Sequence, residues 1–234
     1  MNRIISAAAI WLAGAASAYA QSAPDNPVVV ELYTSQGCSS CPPADAILAT
    51  LAQREDVIAL ALHVDYWDYI GWADSFANPA FTMRQKAYAA AAGARSIYTP
   101  QMVVGGTDHV TGAKSAELSA LIRAHARLKS PVTMTVTRDG DVLHIRAQAA
   151  PPLRKGALVQ IVRYLPKASV SIERGENAGR TIDYTHIVES WKPVAEWDGQ
   201  GDLAVDTPAS GPLPSVVIVQ EPGPGAILAA VRLR

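Results

Sequence analysis

Val28-Val29-Val30-Glu31-Leu32-Tyr33-Thr34, then Ser35-Gln36-Gly37-Cys38-Ser39-Ser40-Cys41, then Pro42-Pro43-Ala44-Asp45, is the stretch whose reading decides the fold. Its first seven residues are mostly β-branched or aromatic, which suits a central strand of a mostly parallel sheet. Ser35-Gln36-Gly37 breaks that run. Two successive prolines are tolerated only in a first helical turn, where amide hydrogens have no partners anyway. A helix therefore begins near Pro42 and continues through Ile47, Leu48 and Leu51 at helical spacing. The only two cysteines of the chain fall between strand and helix. A strand, a Cys-x-x-Cys and a helix in that order point to a redox-active dithiol.

Other uses of the pair are weaker. A structural zinc site needs about four Cys or His ligands, and no second cysteine pair exists. A purely structural disulfide closing so short a loop removes only roughly 2 kcal/mol of unfolded-chain entropy. A bound soft metal stays open: thiolate and imidazole suit Cu(I), and His63 at the end of the next apolar run is a third ligand candidate, although a structural role for it is the simpler reading.

A thiol attacks as its thiolate, and the first cysteine sits at a helix N-terminus, where amide hydrogens and the helix dipole lower its pKa. Cys38 is the candidate nucleophile. Cys41, about one turn on, is the candidate resolving thiol, and Ser39 and Ser40 offer donors to the thiolate. Glu31 interrupts an apolar strand, so it is either a buried proton acceptor for Cys41 or a residue of a solvated edge. Asp45, four residues after Cys41, lies on the same helical face; it either moves protons or caps the first turn.

Working outward, Val57 to Val64 is a second strand, which a right-handed crossover places beside the first. Tyr66, Trp67, Tyr69, Trp72, Phe76 and Phe81 follow, a set of rings suited to filling a core or to forming a partner surface near the dithiol. Asn78 reads as an N-cap with Pro79 at the first helical position, and Gly93 as the stop. Thr99-Pro100 precedes a strand at Gln101 to Val104, Asp108 to Thr111 adds a hairpin strand, and Ser115 to Lys129 reads as a closing helix. Beyond Ser130-Pro131 the pattern turns to strands. Asp139-Gly140 suits a type I′ turn between Pro131–Arg138 and Val142–Ala149, and further runs lie at Leu158–Leu165, Ile182–Val188, Ser215–Gln220 and Ile227–Leu233. These spacings argue a small β-sandwich. Glu173 to Thr181 reads as a solvated hairpin loop or a contact surface for the first half, and Thr207 to Pro214 as a loop.

Arg3, the apolar run Ile4 to Ala15 and Ala18-Tyr19-Ala20 fit a secretory signal peptide cleaved after Ala20. No apolar stretch reaches the roughly 20 residues of a spanning helix, so no transmembrane segment is expected after cleavage. The compartment expected is periplasmic or secreted, where a disulfide persists. The chain carries 20 Lys and Arg against 21 Asp and Glu; loss of Arg3 leaves a formal charge of about −2, and nucleic acid is not an expected partner.

Together Glu31 to Asp45, His63-Val64-Asp65-Tyr66-Trp67-Asp68, Tyr98-Thr99-Pro100-Gln101 and Glu173-Arg174-Gly175-Glu176-Asn177 resemble the secreted thioredoxin-like family catalogued as domain of unknown function 1223. The resemblance implies an α/β thioredoxin-like domain over residues 26–130 and a smaller all-β, sandwich-like portion over 131–234. In thioredoxin-like folds a cis proline packs against the dithiol, and Thr99-Pro100 is similar to it. Ser39-Ser40 departs from the Gly-Pro of thioredoxin itself, so redox direction does not carry over. The expectation is a thiol–disulfide oxidoreductase with a protein or small-thiol client and no cofactor beyond the Cys38–Cys41 disulfide. The alternatives are a Cu(I)-binding or metal-delivery protein and a client-binding module with an inert disulfide.

Overall fold

Every residue of β1 (Val28–Thr34) is buried, as a strand covered on both faces requires. The computed structural model describes residues 27–209 and 211–233, so the signal-peptide reading falls outside the described residues. After β1 come α1 (Pro42–Leu51), β2 (Val57–His63), a 3-10 turn (Asp68–Ile70), α2 (Pro79–Ala91), β3 (Gln101–Val104), β4 (Asp108–Thr111) and α3 (Ser115–His125). β1 pairs with β2 in parallel and with β3 antiparallel, and β4 returns antiparallel to β3. Asn78 caps α2 by accepting from the Ala80 amide at 2.9 Å, and Gly93 takes the positive φ that ends it. α3 stops four residues before Lys129. Leu118 and Ile122 anchor it, whereas Leu128 is exposed and holds no further turn in place.

Seven strands follow: β5 (Val132–Asp139), β6 (Val142–Ala149), β7 (Ala157–Ser171), β8 (Thr181–Trp197), β9 (Leu203–Pro208), β10 (Ser215–Gln220) and β11 (Ile227–Leu233). β7, β8, β10 and β11 join the first half in a single mixed sheet ordered β11-β10-β7-β8-β2-β1-β3-β4. The join is a parallel contact of β8 with β2 at Ala61 and Ile187. β5, β6 and β9 form a separate three-stranded sheet. It packs Val132, Leu143 and Ile145 against Val159, Ile161, Val217 and Val219, so two sheets do face one another, but one of them is the continuation of the α/β sheet. The expected division at Ser130-Pro131 falls between α3 and β5, and the large sheet runs across it. Asp139 pairs with Val142, and of the turn residues Gly140 alone has positive φ. The hairpin turn is therefore Gly140-Asp141, one residue later than expected, and lacks the two positive φ values of type I′.

Strand periodicity then divides the core. Val28, Val30 and Leu32, with Val57, Ala59 and Ala61, face α1 and α3 through Ala44, Leu48, Leu118 and Ile122. Val29 and Tyr33, with Ile58, Leu60 and Leu62, face the other way, against Phe81, Tyr88, Val162, Tyr164, Val216 and Ile218.

Candidate functional site

At the C-terminal end of β1 the chain turns through Ser35-Gln36-Gly37 into Cys38, which is joined to Cys41 as a disulfide. Cys41 is the N-cap of α1, with Pro42 and Pro43 in the first two helical positions. Those prolines have no amide hydrogen, so the donors expected at this helix end are missing from two positions. The donor that reaches the nucleophile candidate is Ser40, whose Oγ lies 3.4 Å from Cys38 Sγ. Both cysteines are 0% exposed, whereas Ser39 and Ser40 are on the surface.

Behind the disulfide lies a buried polar group. Asp45, one turn after Cys41, accepts from the Thr34 hydroxyl at 2.9 Å through Oδ1, and its Oδ2 has no hydrogen-bond partner. Burial pushes its carboxyl up from the ordinary range to about 6, against the opposing pull of His63 and the Thr34 hydrogen bond. Thr34 and His63 are register partners across β1 and β2, and both continue the row of residues facing α1. His63 is buried and its Nδ1 lies 2.7 Å from Asp74 Oδ2. The same Oδ2 accepts from the Gln36 amide at 2.8 Å, so Asp74 ties the dithiol loop to His63. Phe76 and Tyr184 pack edge-on against the imidazole at 5.2 and 4.9 Å.

Glu31, weighed as a proton acceptor for Cys41, sits on the opposite face of the sheet from α1. Its carboxylate receives Arg84 Nε at 2.7 Å and Nη2 at 2.9 Å, Tyr88 at 2.6 Å and Tyr33 at 3.0 Å. This is a buried, fully bonded ion pair remote from the dithiol face. Thr99-Pro100 is a cis peptide. Gln101, directly after it, pairs with Tyr33, which sets Pro100 beside the strand end from which the dithiol loop departs. The Thr99 hydroxyl accepts from Trp67 Nε1 at 2.7 Å. Among the described residues no group of three or more His, Cys, Asp or Glu is placed to hold a metal ion, so Cys38, Cys41 and His63 form no ligand cluster here.

The rings of residues 66–81 divide between packing and exposure. Phe81 is core, Trp72 and Phe76 pack against Tyr184 and Ile187, and Tyr69 is 82% exposed. Trp67 and Ile70 stand against Gly37, where an added Cβ would approach Ile70 Cδ1 to 3.2 Å and Trp67 Cβ to 3.3 Å. Glycine there lets the loop and this wall close together.

The segment between β7 and β8 is not a free loop. Asn177, 1% exposed, donates through Nδ2 to the carbonyls of Gln36 at 2.9 Å and Cys38 at 3.0 Å. Arg180 fixes the Asn177 side-chain oxygen at 2.9 Å. Glu176 accepts from the Ser39 amide at 3.2 Å, and hydrogen bonds from Ser39 hold its carboxyl below the usual range. The outer parts of β7 and β8 thus form an arm whose tip covers the dithiol loop. Sequence reasoning did not assign Gln36, Asp74, Glu176 and Asn177 to the site. Glu176 and Asn177 lie in the segment read above as a solvated loop or a contact surface for the first half, and their bonds to the dithiol loop fit the second of those readings. Nothing local marks Gln36, and Asp74 carries one faint signal, an Asx turn in which it accepts from the Phe76 amide at 2.9 Å.

No helix among the described residues is long and apolar enough to cross a membrane. No curated protein matches the chain. An X-ray crystal structure of a protein from Agrobacterium tumefaciens is 35% identical, with a TM-score of 0.76, and the match covers 88% of this chain and 93% of that one. HBP35 of Porphyromonas gingivalis is similar in fold, with a TM-score of 0.61 at 16% identity over 89% of this chain and 75% of that chain. Residues 29–220, which include the dithiol loop, the buried acid and the arm, match the family described as Protein of unknown function (DUF1223), and the chain belongs to that family.

Proposed function

We propose that this chain is a secreted or periplasmic thiol–disulfide oxidoreductase with a thioredoxin-like core, acting on a protein or small-thiol client. The observation that carries the reading is a Cys38–Cys41 disulfide at the start of α1 with the buried acid Asp45 one turn behind it. The order β2-β1-β3-β4, with β3 and β4 antiparallel to their neighbours, supports the thioredoxin-like assignment, as does a cis Thr99-Pro100 beside the end of β1. The signal-like N-terminus supports the compartment.

In the forward step a client thiolate attacks Cys38 Sγ. The Cys38–Cys41 bond breaks, and its electron pair leaves on Cys41. Cys41 takes the proton of the Asp45 carboxyl, giving a mixed disulfide at Cys38, a Cys41 thiol and an Asp45 carboxylate. A second client thiolate then attacks the mixed disulfide at the client sulfur, releasing oxidised client and a Cys38 thiolate. In the reverse direction Asp45 accepts the Cys41 proton, and the Cys41 thiolate attacks Cys38 Sγ of the mixed disulfide; the Cys38–client bond breaks, the client leaves as its thiolate, and the Cys38–Cys41 bond re-forms. Because both sulfurs are buried, a client reaches them only when the arm tip moves off Ser39 and Cys38. Tyr69, exposed in the 3-10 turn that also carries Ile70, supplies an apolar contact for the client's chain.

A second reading is favoured by that same burial: an inert disulfide inside a client-binding module. The reduction potential of the full chain, equilibrated with glutathione or dithiothreitol buffers and read by trapping free thiols, separates the two. A potential above roughly −200 mV marks an oxidant, one near −270 mV a reductant, and one below about −300 mV a structural bond. Under the oxidoreductase reading Cys38→Ala abolishes exchange with every disulfide substrate the wild type accepts. Full turnover by that variant removes the nucleophile assignment.

A further inference from the structure

Among the described residues, three buried side-chain nitrogen or oxygen atoms have no hydrogen-bond partner, and two of them, Asp45 Oδ2 and His63 Nε2, belong to the group behind the disulfide. Leaving a polar atom buried and unpartnered forfeits the hydration it had in water with nothing in return, so two such atoms in one cluster need a reason. The sheet brings them together. Thr34, which holds Asp45 by its other oxygen, is the register partner of His63, and both face α1. Asp74 takes Nδ1 of the imidazole, and the Phe76 and Tyr184 rings pack against its faces and edges. The one ring nitrogen left free is Nε2.

The ionisable groups facing Asp45 come from each element packed on it. β2 supplies His63, whose charge favours the carboxylate; the segment before α2 supplies Asp74, whose charge opposes it. β8 supplies Tyr184, whose hydroxyl is held well above its ordinary range by burial and by Asp45 and Asp74. His63 is the only one of these that can carry a positive charge.

We propose that His63, clamped by Asp74, is a positioning residue for Asp45: it sets the pH at which Asp45 hands its proton to Cys41, and so the pH range of dithiol exchange. This rests on the oxidoreductase reading above. The atoms balance without a further reactant. The proton passes from Asp45 Oδ2 to Cys41 Sγ when the sulfur–sulfur bond breaks and returns when it re-forms, while His63 keeps its Asp74 bond and tunes the donor through charge.

The test uses the full chain and dithiothreitol. Asp45 is followed by its carboxyl carbon NMR shift between pH 4 and 8 in the oxidised protein, and the reduction rate, corrected for dithiothreitol thiolate, is measured across the same range. In His63→Gln the Asp45 midpoint and the inflection in the rate both move up by about one pH unit, the usual scale for losing a nearby opposite charge. Should that variant not fold, Asp45→Asn gives the reciprocal measurement: the His63 Nε2 shift steps at the Asp45 midpoint in the wild type and loses that step in the variant. An Asp45 midpoint that stays put in His63→Gln, a rate profile unchanged while the midpoint moves, or a His63 signal blind to Asp45 overturns the proposal. A wild-type disulfide that resists dithiothreitol and glutathione altogether overturns the oxidoreductase reading instead.

Discussion

Asp45 holds its proton more tightly in the folded chain than in the unfolded one, because burial raises its carboxyl from 3.8 to about 6. Between those values the folded state binds more protons, so stability falls as pH rises from about 4 to 6 and is then flat, a loss of about 3 kcal/mol. Asp45→Asn keeps an acceptor for the Thr34 hydroxyl and removes the penalty. It is expected to raise the melting temperature at pH 7 by several degrees, roughly 5–10 °C for a chain of this size, and to flatten the pH dependence of stability; calorimetry from pH 4 to 8 checks both. The position of Asp45 was legible from its four-residue spacing from Cys41. The role of Glu31 was not. Period-two alternation groups it with Val29 and Tyr33, but which of the two faces carries α1 depends on the crossover. The partners that occupy Glu31, Arg84 and Tyr88, come from a helix more than fifty residues away.

The arm is the element whose extent the sequence concealed. Pro166 and Pro193 look like strand breakers, yet β7 and β8 run through both. Pro193 lies beside an irregularity in the ladder between Val159 and Gln160, where a missing amide hydrogen is harmless. Pro166 falls between the Leu165–Ile187 and Lys167–Thr185 pairs, opposite His186 with its positive φ. β9 was hidden in a similar way: its last two residues, Thr207 and Pro208, open the proline-rich segment expected as a loop, yet they pair with Leu143 and Val142. The cover that the arm places on the dithiol is held by a few hydrogen bonds, and its strength can be tested. Asn177→Ala removes two bonds to the carbonyls of Gln36 and Cys38, worth roughly 1–3 kcal/mol together. Local opening then becomes about 5- to 150-fold more frequent, and the reduction rate of the disulfide by dithiothreitol rises by the same factor, while the melting temperature falls by roughly 2–4 °C per kcal/mol lost. An unchanged rate means that the arm does not limit access. Opening also carries the Glu176 carboxylate away from Ser39, which favours a thiolate at Cys38.

Across the whole molecule the elements of the first half were legible because each carries its own caps and alternation, and so were the β1–β2 and β3–β4 neighbours; the antiparallel pairing of β1 with β3 was not read from those signals. Neither was the attachment of the second half, since nothing local in Ala61 or Ile187 announces that β2 and β8 pair. That pairing has a consequence for dissection. Residues 27–130 alone expose the β2 edge and strip Val29, Tyr33, Ile58, Leu60 and Leu62 of their cover from Val162, Tyr164, Val216 and Ile218. Uncovered edges and apolar faces associate. The 27–130 fragment is expected to aggregate or to lack a cooperative unfolding transition, whereas the full chain unfolds with its dithiol loop and its β11-β10-β7-β8 strands together; thermal melts followed by circular dichroism distinguish the two. The arm gives the protein a calendar as well. Cys38 and Cys41 leave the ribosome long before Glu176 and Asn177, and at roughly 5–20 residues per second the pair spends on the order of ten seconds as part of an unfinished chain. During that interval the sulfurs lack the cover that Glu176 and Asn177 place over their loop, and that cover is laid down only when the last quarter of the polypeptide arrives.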